Sequence, residues 1–343
     1  MLEPGLTQLN IRLQNRAKAM AGAMLAALAC LMPAFAAQAL PPQPKEQAQE
    51  RPGVEVLSVQ DGSAPAPDVK MPAHLFKKKV VAAAFDVVKP GQLQDIDDIA
   101  HGFPRELLAR LERSGKFLTR SASSLLGAGV AVDVPNLHTV RQLAEFNDSQ
   151  FVIAGQVVSA ESWAVPKFLG LLETKKRLLA VEIYVFDGLS GVLLTRHRFD
   201  SVVEKEVVVG RDKTFGGSAF FATAVGRALD DMLDAGVRAV SADLEVQPFA
   251  AKVVRISNNE LTFDAGANSA IVPGDVLGVY RISHQLPLMR PADQVSLGTQ
   301  EGMLGRVAVS QVQLGFSVGA LSADSNRKGI QVGDLVRWYP AAP

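Results

Sequence analysis

Cysteine is almost absent: the 343 residues contain one, Cys30. A single thiol closes no disulfide within the chain, so stability has to come from packed apolar cores, even in an oxidising compartment. Net charge is absent too, with 35 Lys and Arg against 35 Asp and Glu. That balance removes the electrostatic footprint expected of a nucleic-acid or anionic-membrane binder and points to proteins as partners. The five histidines, His74, His101, His138, His197 and His284, are widely spaced, and none lies one helical turn from another or beside the cysteine. A preformed zinc site therefore has no support. No Gly-Lys-Ser or Gly-Lys-Thr phosphate loop occurs, and Gly127-Ala128-Gly129 lacks the third glycine and preceding strand of a dinucleotide site. No cofactor or metal is expected.

What is present starts with an unusual N-terminus. Arg12, Arg16 and Lys18 precede an uncharged run, Ala19 to Ala37, that contains Leu25, Leu28 and Leu31 and is broken by Pro33. With small-x-small sites at Ala34-Phe35-Ala36 and Ala37-Gln38-Ala39, residues 1–39 read as a cleavable secretory signal, with cleavage after Ala39 ahead of Ala36. Ala27-Leu28-Ala29 before Cys30 is a poor lipid-attachment signal. Later segments fall short of the roughly 18 uncharged apolar residues that span a bilayer. The expected location is the periplasm of a double-membraned bacterium, and the mature chain keeps a charge of about −2.

With 48% hydrophobic and 20% charged residues, the remainder is long enough for two or three domains. Residues 40–76 carry Pro41, Pro42, Pro44, Pro52, Pro65, Pro67 and Pro72 and read as a flexible arm, in which residues 53–59 alternate weakly like an edge strand. Residues 77–245 then run strand (Val80 to Val88), helix (Asp95 to Arg113, with a break suggested by Gly102 and Pro104), strand from Phe117 and helix from Leu137. A strand from Phe151, a hairpin across Asp187-Gly188-Leu189-Ser190-Gly191 and one long helix, Ser218 to Asp243, complete that stretch. Residues 246–343 hold six short apolar stretches separated by Gly, Asn and Asp turns, and no helix. The fold class is α+β and multidomain: an α/β sandwich followed by a small all-β barrel or sandwich.

One phrase in the second part is written twice. Ile271-Val272-Pro273-Gly274-Asp275-Val276-Leu277 is answered by Ile330-Gln331-Val332-Gly333-Asp334-Leu335-Val336, and Tyr280 or Trp338 follows. A Gly-Asp turn leading into an apolar run is how a small β-domain turns a corner into a strand, so Gly274, Asp275, Gly333 and Asp334 are structural turns, with positive φ expected at both glycines. Gly315-Phe316-Ser317-Val318-Gly319 matches the nucleophile elbow of hydrolases, but every histidine precedes Ser317 and a strand follows it. It reads as a glycine-flanked strand, and a hydrolase reading survives only because the string exists. Asp95-Ile96-Asp97-Asp98 suits a helix N-terminus and lacks the rest of a calcium loop. Lys77-Lys78-Lys79 and Lys175-Lys176-Arg177 read as solvated strand edges. No catalytic residue is nominated and the chain is not expected to be an enzyme.

Two stretches carry a resemblance. Lys79 to Leu244, with Val80-Val81-Ala82-Ala83-Ala84-Phe85, Phe151-Val152-Ile153-Ala154-Gly155-Gln156-Val157 and Phe215-Gly216-Gly217-Ser218, resembles the middle domain of the flagellar assembly protein T (FlgT) family. That domain is similar to the N-terminal domain of the translocation protein TolB. The last hundred residues, with both Gly-Asp phrases, resemble the family's C-terminal domain. The family's N-terminal domain is missing, and the Pro-rich arm stands in its place. The resemblance implies a non-enzymatic periplasmic component of the flagellar basal body, of the H-ring type. Its partners would be other basal-body, ring and stator-associated proteins, within a ring-forming homo-oligomer. The alternative is a periplasmic envelope adaptor that binds outer-membrane or envelope proteins and has no part in motility.

Overall fold

The computed structural model describes residues 74–125, 137–167, 172–282, 288–289, 296–298, 300–322 and 329–338. The signal reading, the arm up to residue 73, Cys30 and His284 lie outside the described residues. The described residues form a mixed α/β protein, mostly β, and all belong to one compact unit.

The first part is a seven-stranded sheet. Strand β1 (Lys78–Ala84) lies between β3 (Phe117–Leu125) and β4 (Phe151–Ser159), parallel to both, and the short β2 (Asp86–Val87) also pairs with β4. β6 (Leu172–Asp187) runs antiparallel to β4 and is long enough to pair β5 (Ser162–Lys167) with its first residues. β7 (Leu193–Glu204) pairs the other side of β6. The two parallel crossovers run through helices α1 (Ile99–Arg113) and α2 (Leu137–Phe146).

Alternation along the strands sorts the residues between two faces. Val80, Ala82, Phe151, Ile153, Val181 and Ile183 pack beneath α1 and the long helix α4 (Ala224–Glu245), which follows the single turn α3 (Ser218–Phe221). Val81, Ala83, Val152 and Phe186 face the other way, against Val140, Leu143 and Ala144 of α2. β1 is buried along its whole length, and from Val80 to Ala84 it is apolar throughout.

Two helices differ from the sequence reading for local reasons. α1 runs unbroken through Pro104, because the Ala100 carbonyl that a proline leaves without its helical partner accepts a hydrogen bond from the Phe85 N–H at 2.7 Å. The expected single helix from Ser218 is split: Thr223 leaves the helical conformation and caps α4, its hydroxyl accepting from the Gly226 N–H at 2.9 Å.

The second part is a closed barrel of six strands, in the order β10 (Val276–Ile282), β13 (Glu301–Val312), β14 (Ser317–Leu321), β9 (Glu260–Phe263), β8 (Phe249–Ser257) and β15 (Leu335–Trp338). All six stretches anticipated for this part are strands of it. A separate pair, β11 (Leu288–Met289) and β12 (Ser296–Gly298), lies between β10 and β13 in the chain. Phe249, Val253, Leu261, Phe263, Val279 and Val307 fill the interior.

The twice-written phrase makes two corners of one design. Gly274 and Gly333 each have φ +94. Asp275 Oδ2 accepts from the Val272 N–H at 2.9 Å, and Asp334 Oδ2 from the Gln331 N–H at 2.7 Å. Each corner also exchanges a reciprocal pair of main-chain bonds with a neighbouring strand. Gly274 N donates to Val309 O and Val309 N to Asp275 O; Gly333 N donates to Val253 O and Val253 N to Asp334 O. The strands that follow, β10 and β15, then pair with each other. A Cβ built on either glycine meets nothing within 4 Å, so the strain of Gly274→Ala or Gly333→Ala is confined to the backbone. Each variant is expected to lose on the order of 1 kcal/mol or more of stability. Unchanged melting temperatures in both would contradict it.

Candidate functional site

The buried charges lie where the sheet meets the barrel and beneath the sheet's long hairpin, contrary to the solvated edges expected of the two basic runs. Lys78, Lys79 and Arg177 are all buried. The physical reason is that each finds oxygen partners that replace water.

Arg177 lies on the same face of β6 as Leu179 and Val181, and its five N–H groups have five acceptors. Nε donates to Ala160 O at 3.1 Å, and one terminal nitrogen to Val207 O at 2.8 Å and Asp95 Oδ2 at 2.6 Å. The other donates to Gln92 O at 2.6 Å and Asp95 Oδ1 at 2.9 Å. Asp95 is thus drawn away from the helix start where the sequence reading placed it, and α1 begins only at Ile99. Burial pushes the Asp95 carboxyl up, but hydrogen bonds from Arg177 and the Val209 N–H, with the guanidinium charge, hold it below the usual range. A depressed carboxyl contributes stability above its unfolded value that is lost as pH falls through the folded one. Arg177→Met leaves a carboxylate and three carbonyls without their donor and is expected to cost about 3 kcal/mol in urea denaturation. Arg177→Lys, with three donors, should recover part of it. A loss of less than about 1 kcal/mol for the Met variant would contradict this role.

The junction is built from residues 74–79. Phe76 belongs to the barrel core, with ring centroids 5.1 Å from Phe249 and 5.5 Å from Trp338. His74 Nε2 lies 3.3 Å from Asp275 Oδ2 of the first corner, and the Lys77 N–H donates to Ser269 O at 3.0 Å. Lys78 Nζ donates to the carbonyls of Leu244 and Glu245 at the end of α4, a favourable place for a cation. Burial lowers the Lys78 pKa to about 8 despite the nearby Glu245 charge. Lys79 Nζ donates to Asp148 Oδ2 at 2.7 Å on the sheet side, and to Asp264 O at 2.7 Å and Asp264 Oδ2 at 3.2 Å on the barrel side. Gln150 closes the contact from beside β4: Nε2 donates to Pro248 O at 2.6 Å and Oε1 accepts from the Ala250 N–H at 3.1 Å.

Asp148 and Asp264 meet at Lys79, one from each part. Burial raises both carboxyls; hydrogen bonds from Lys79 and Asp264, with the charges of Lys79 and Arg120, bring Asp148 below its ordinary value. Asp264 stays raised, since burial and the Asp148 carboxylate outweigh Lys79. A carboxyl that holds its proton more tightly when folded loses stability as pH rises from its unfolded value, about 4. Asp264→Asn resembles the protonated form: its oxygen can accept from Lys252 N–H, as Oδ1 does now at 2.5 Å, and its NH2 can face Asp148. The variant should gain stability relative to the parent as pH rises above about 4 in melting scans. A relative loss over that range would contradict the assignment.

The two corners lie at opposite ends of the antiparallel β10–β15 pair, and β10 leaves the first corner and carries Arg281 to the second. Arg281 Nε donates to Asp334 Oδ1 at 2.9 Å and a terminal nitrogen to Asp334 Oδ2 at 2.8 Å. Ser317 is fully buried in β14 opposite Phe263. His101 and His197 face Asp98 and Asp243, at 2.7 and 2.6 Å, and His74 faces Asp275. Among the described residues no group of three His, Cys, Asp or Glu side chains could hold a metal, and no helix is long and apolar enough to cross a membrane. Beside the junction lies a groove of about 140 Å³ between Leu75, Lys116, Phe117 and Trp338.

The described residues thus form a mixed sheet with helices on both faces, followed by a closed barrel. Residues 72–207 match the family model described as "Flagellar assembly protein T, middle domain". Over these residues, well under half of the 343, the chain is similar to the flagellar assembly protein T family. No curated protein matches. Among solved structures, the hypothetical protein CT253 from Chlamydia trachomatis is 18% identical, covering 49% of this chain and 98% of its own, with a TM-score of 0.37. The PelC dodecamer from Paraburkholderia phytofirmans is 12% identical over 52% of this chain and 94% of its own, with a TM-score of 0.29. Lipoprotein GNA1162 from Neisseria meningitidis is 11% identical over 48% and 99%, with a TM-score of 0.24. Scores this low carry no argument about this chain.

Proposed function

We propose that the chain is a non-enzymatic structural component of the bacterial flagellar basal body, of the H-ring type, held in the periplasm after removal of residues 1–39. The observation that carries this reading is the family match over residues 72–207. The site chemistry is consistent with it. The buried ionic groups are consumed by internal partners, and the serine of the hydrolase-like string is sealed in the barrel wall. Ring subunits need repeated protein contacts and no reactive group. The partners in this reading are other basal-body and ring proteins, stator-associated proteins and further copies of the chain, and no cofactor takes part.

Deletion of the gene in its own host, scored by swimming and by electron microscopy of purified basal bodies, tests the proposal. Lost motility with a missing outer ring density is expected. Normal swimming with intact rings would overturn it in favour of an envelope adaptor without a role in motility.

A further inference from the structure

β7 is an outer strand of the seven-stranded sheet; among the described residues it pairs with β6 alone. Its 12 residues leave a long free edge. Natural edges of this kind are usually shortened, bulged or interrupted by proline, since an unpaired row of N–H and C=O groups is a template for another strand. From Thr195 to Glu204 the pairing with β6 is regular, and the strand contains no proline. Thr195 and His197 are anchored to Asp243 of α4, and Phe199 packs on the core, so the edge has a firm backing.

The other side of β7 is exposed at every second residue: Arg196, Arg198, Asp200, Val202 and Glu204. Arg198 Nε and Asp200 Oδ2 are 3.0 Å apart. Glu182, whose side chain is 3% exposed, holds Arg196 at 2.7 Å and Arg198 at 3.4 Å, and itself accepts from the Tyr184 hydroxyl and the Gln156 amide. The charges along the edge are therefore fixed in place.

We propose that β7 joins two copies of this chain edge to edge, antiparallel about Phe199, so that the two sheets become one. In that register Arg198 faces the partner's Asp200 and Asp200 faces the partner's Arg198, closing a square of alternating charges. Arg196 and Val202 face each other across the axis. Sliding the register by one pleat in either direction sets Arg198 or Asp200 against its own copy, so the charge pattern selects one pairing. A twofold edge contact closes on itself and yields a dimer. It stands independently of the flagellar reading.

Sedimentation equilibrium on the purified protein at about 0.1 mM, where a modest edge contact is still populated, tests it. The parent is expected to be a dimer. Asp200→Arg and Arg198→Asp should each be monomeric while folded by circular dichroism, and an equimolar mixture of the two should recover the dimer mass. If Arg198→Asp fails to fold beside Glu182, Asp200→Arg decides alone, with association weakened about tenfold or more. A monomeric parent, a folded Asp200→Arg that associates like the parent, or two folded variants that do not combine would each overturn the proposal.

Discussion

Placing charge at the buried entry of β1 is the constraint on which the rest depends. The strand is covered on both faces, yet its first two residues are lysines, and each has to reach oxygen atoms outside the sheet. Lys78 takes the carbonyl end of α4, and Lys79 takes a carboxylate from each part of the molecule. With Phe76 two residues earlier in the barrel core, six consecutive residues tie sheet, helix and barrel together. Buried ions contribute little net stability compared with apolar replacements, but losing one partner is expensive. Here they link the two parts, since Lys79 takes an oxygen from each.

Much of this was legible in sequence. Val-rich and alternating runs gave the strands their places, and the repeated Gly-Asp phrase marked two corners whose hydrogen bonds prove equivalent. The buried charges were not read, although for Arg177 a signal exists: Leu179, Val181 and Ile183 alternate along one face of β6, and two residues back along that face is Arg177. Lys79 offered no such sign, because Asp148 and Asp264 are distant in sequence and only the fold brings them to it. Pro104 misled for a similar reason, since the N–H that satisfies Ala100 comes from Phe85, on the chain leaving β1. Local rules fail where a tertiary partner supplies what the local chain lacks.

The candidate site was less legible than the fold, and for a physical reason. A catalytic centre concentrates unusual residues in a recognisable spacing; a contact surface is made of ordinary ones. Corners, edges and a polar junction have no composition of their own, so only their geometry sets them apart. The hydrolase-like string shows the converse, a recognisable spacing whose serine is buried in the barrel wall.

Differential scanning calorimetry tests the coupling of the two parts most directly. Junction bonds through Lys79, Gln150 and Phe76 predict one transition whose calorimetric and van't Hoff enthalpies agree. Two separate transitions, with the barrel and the sheet unfolding independently, would contradict it.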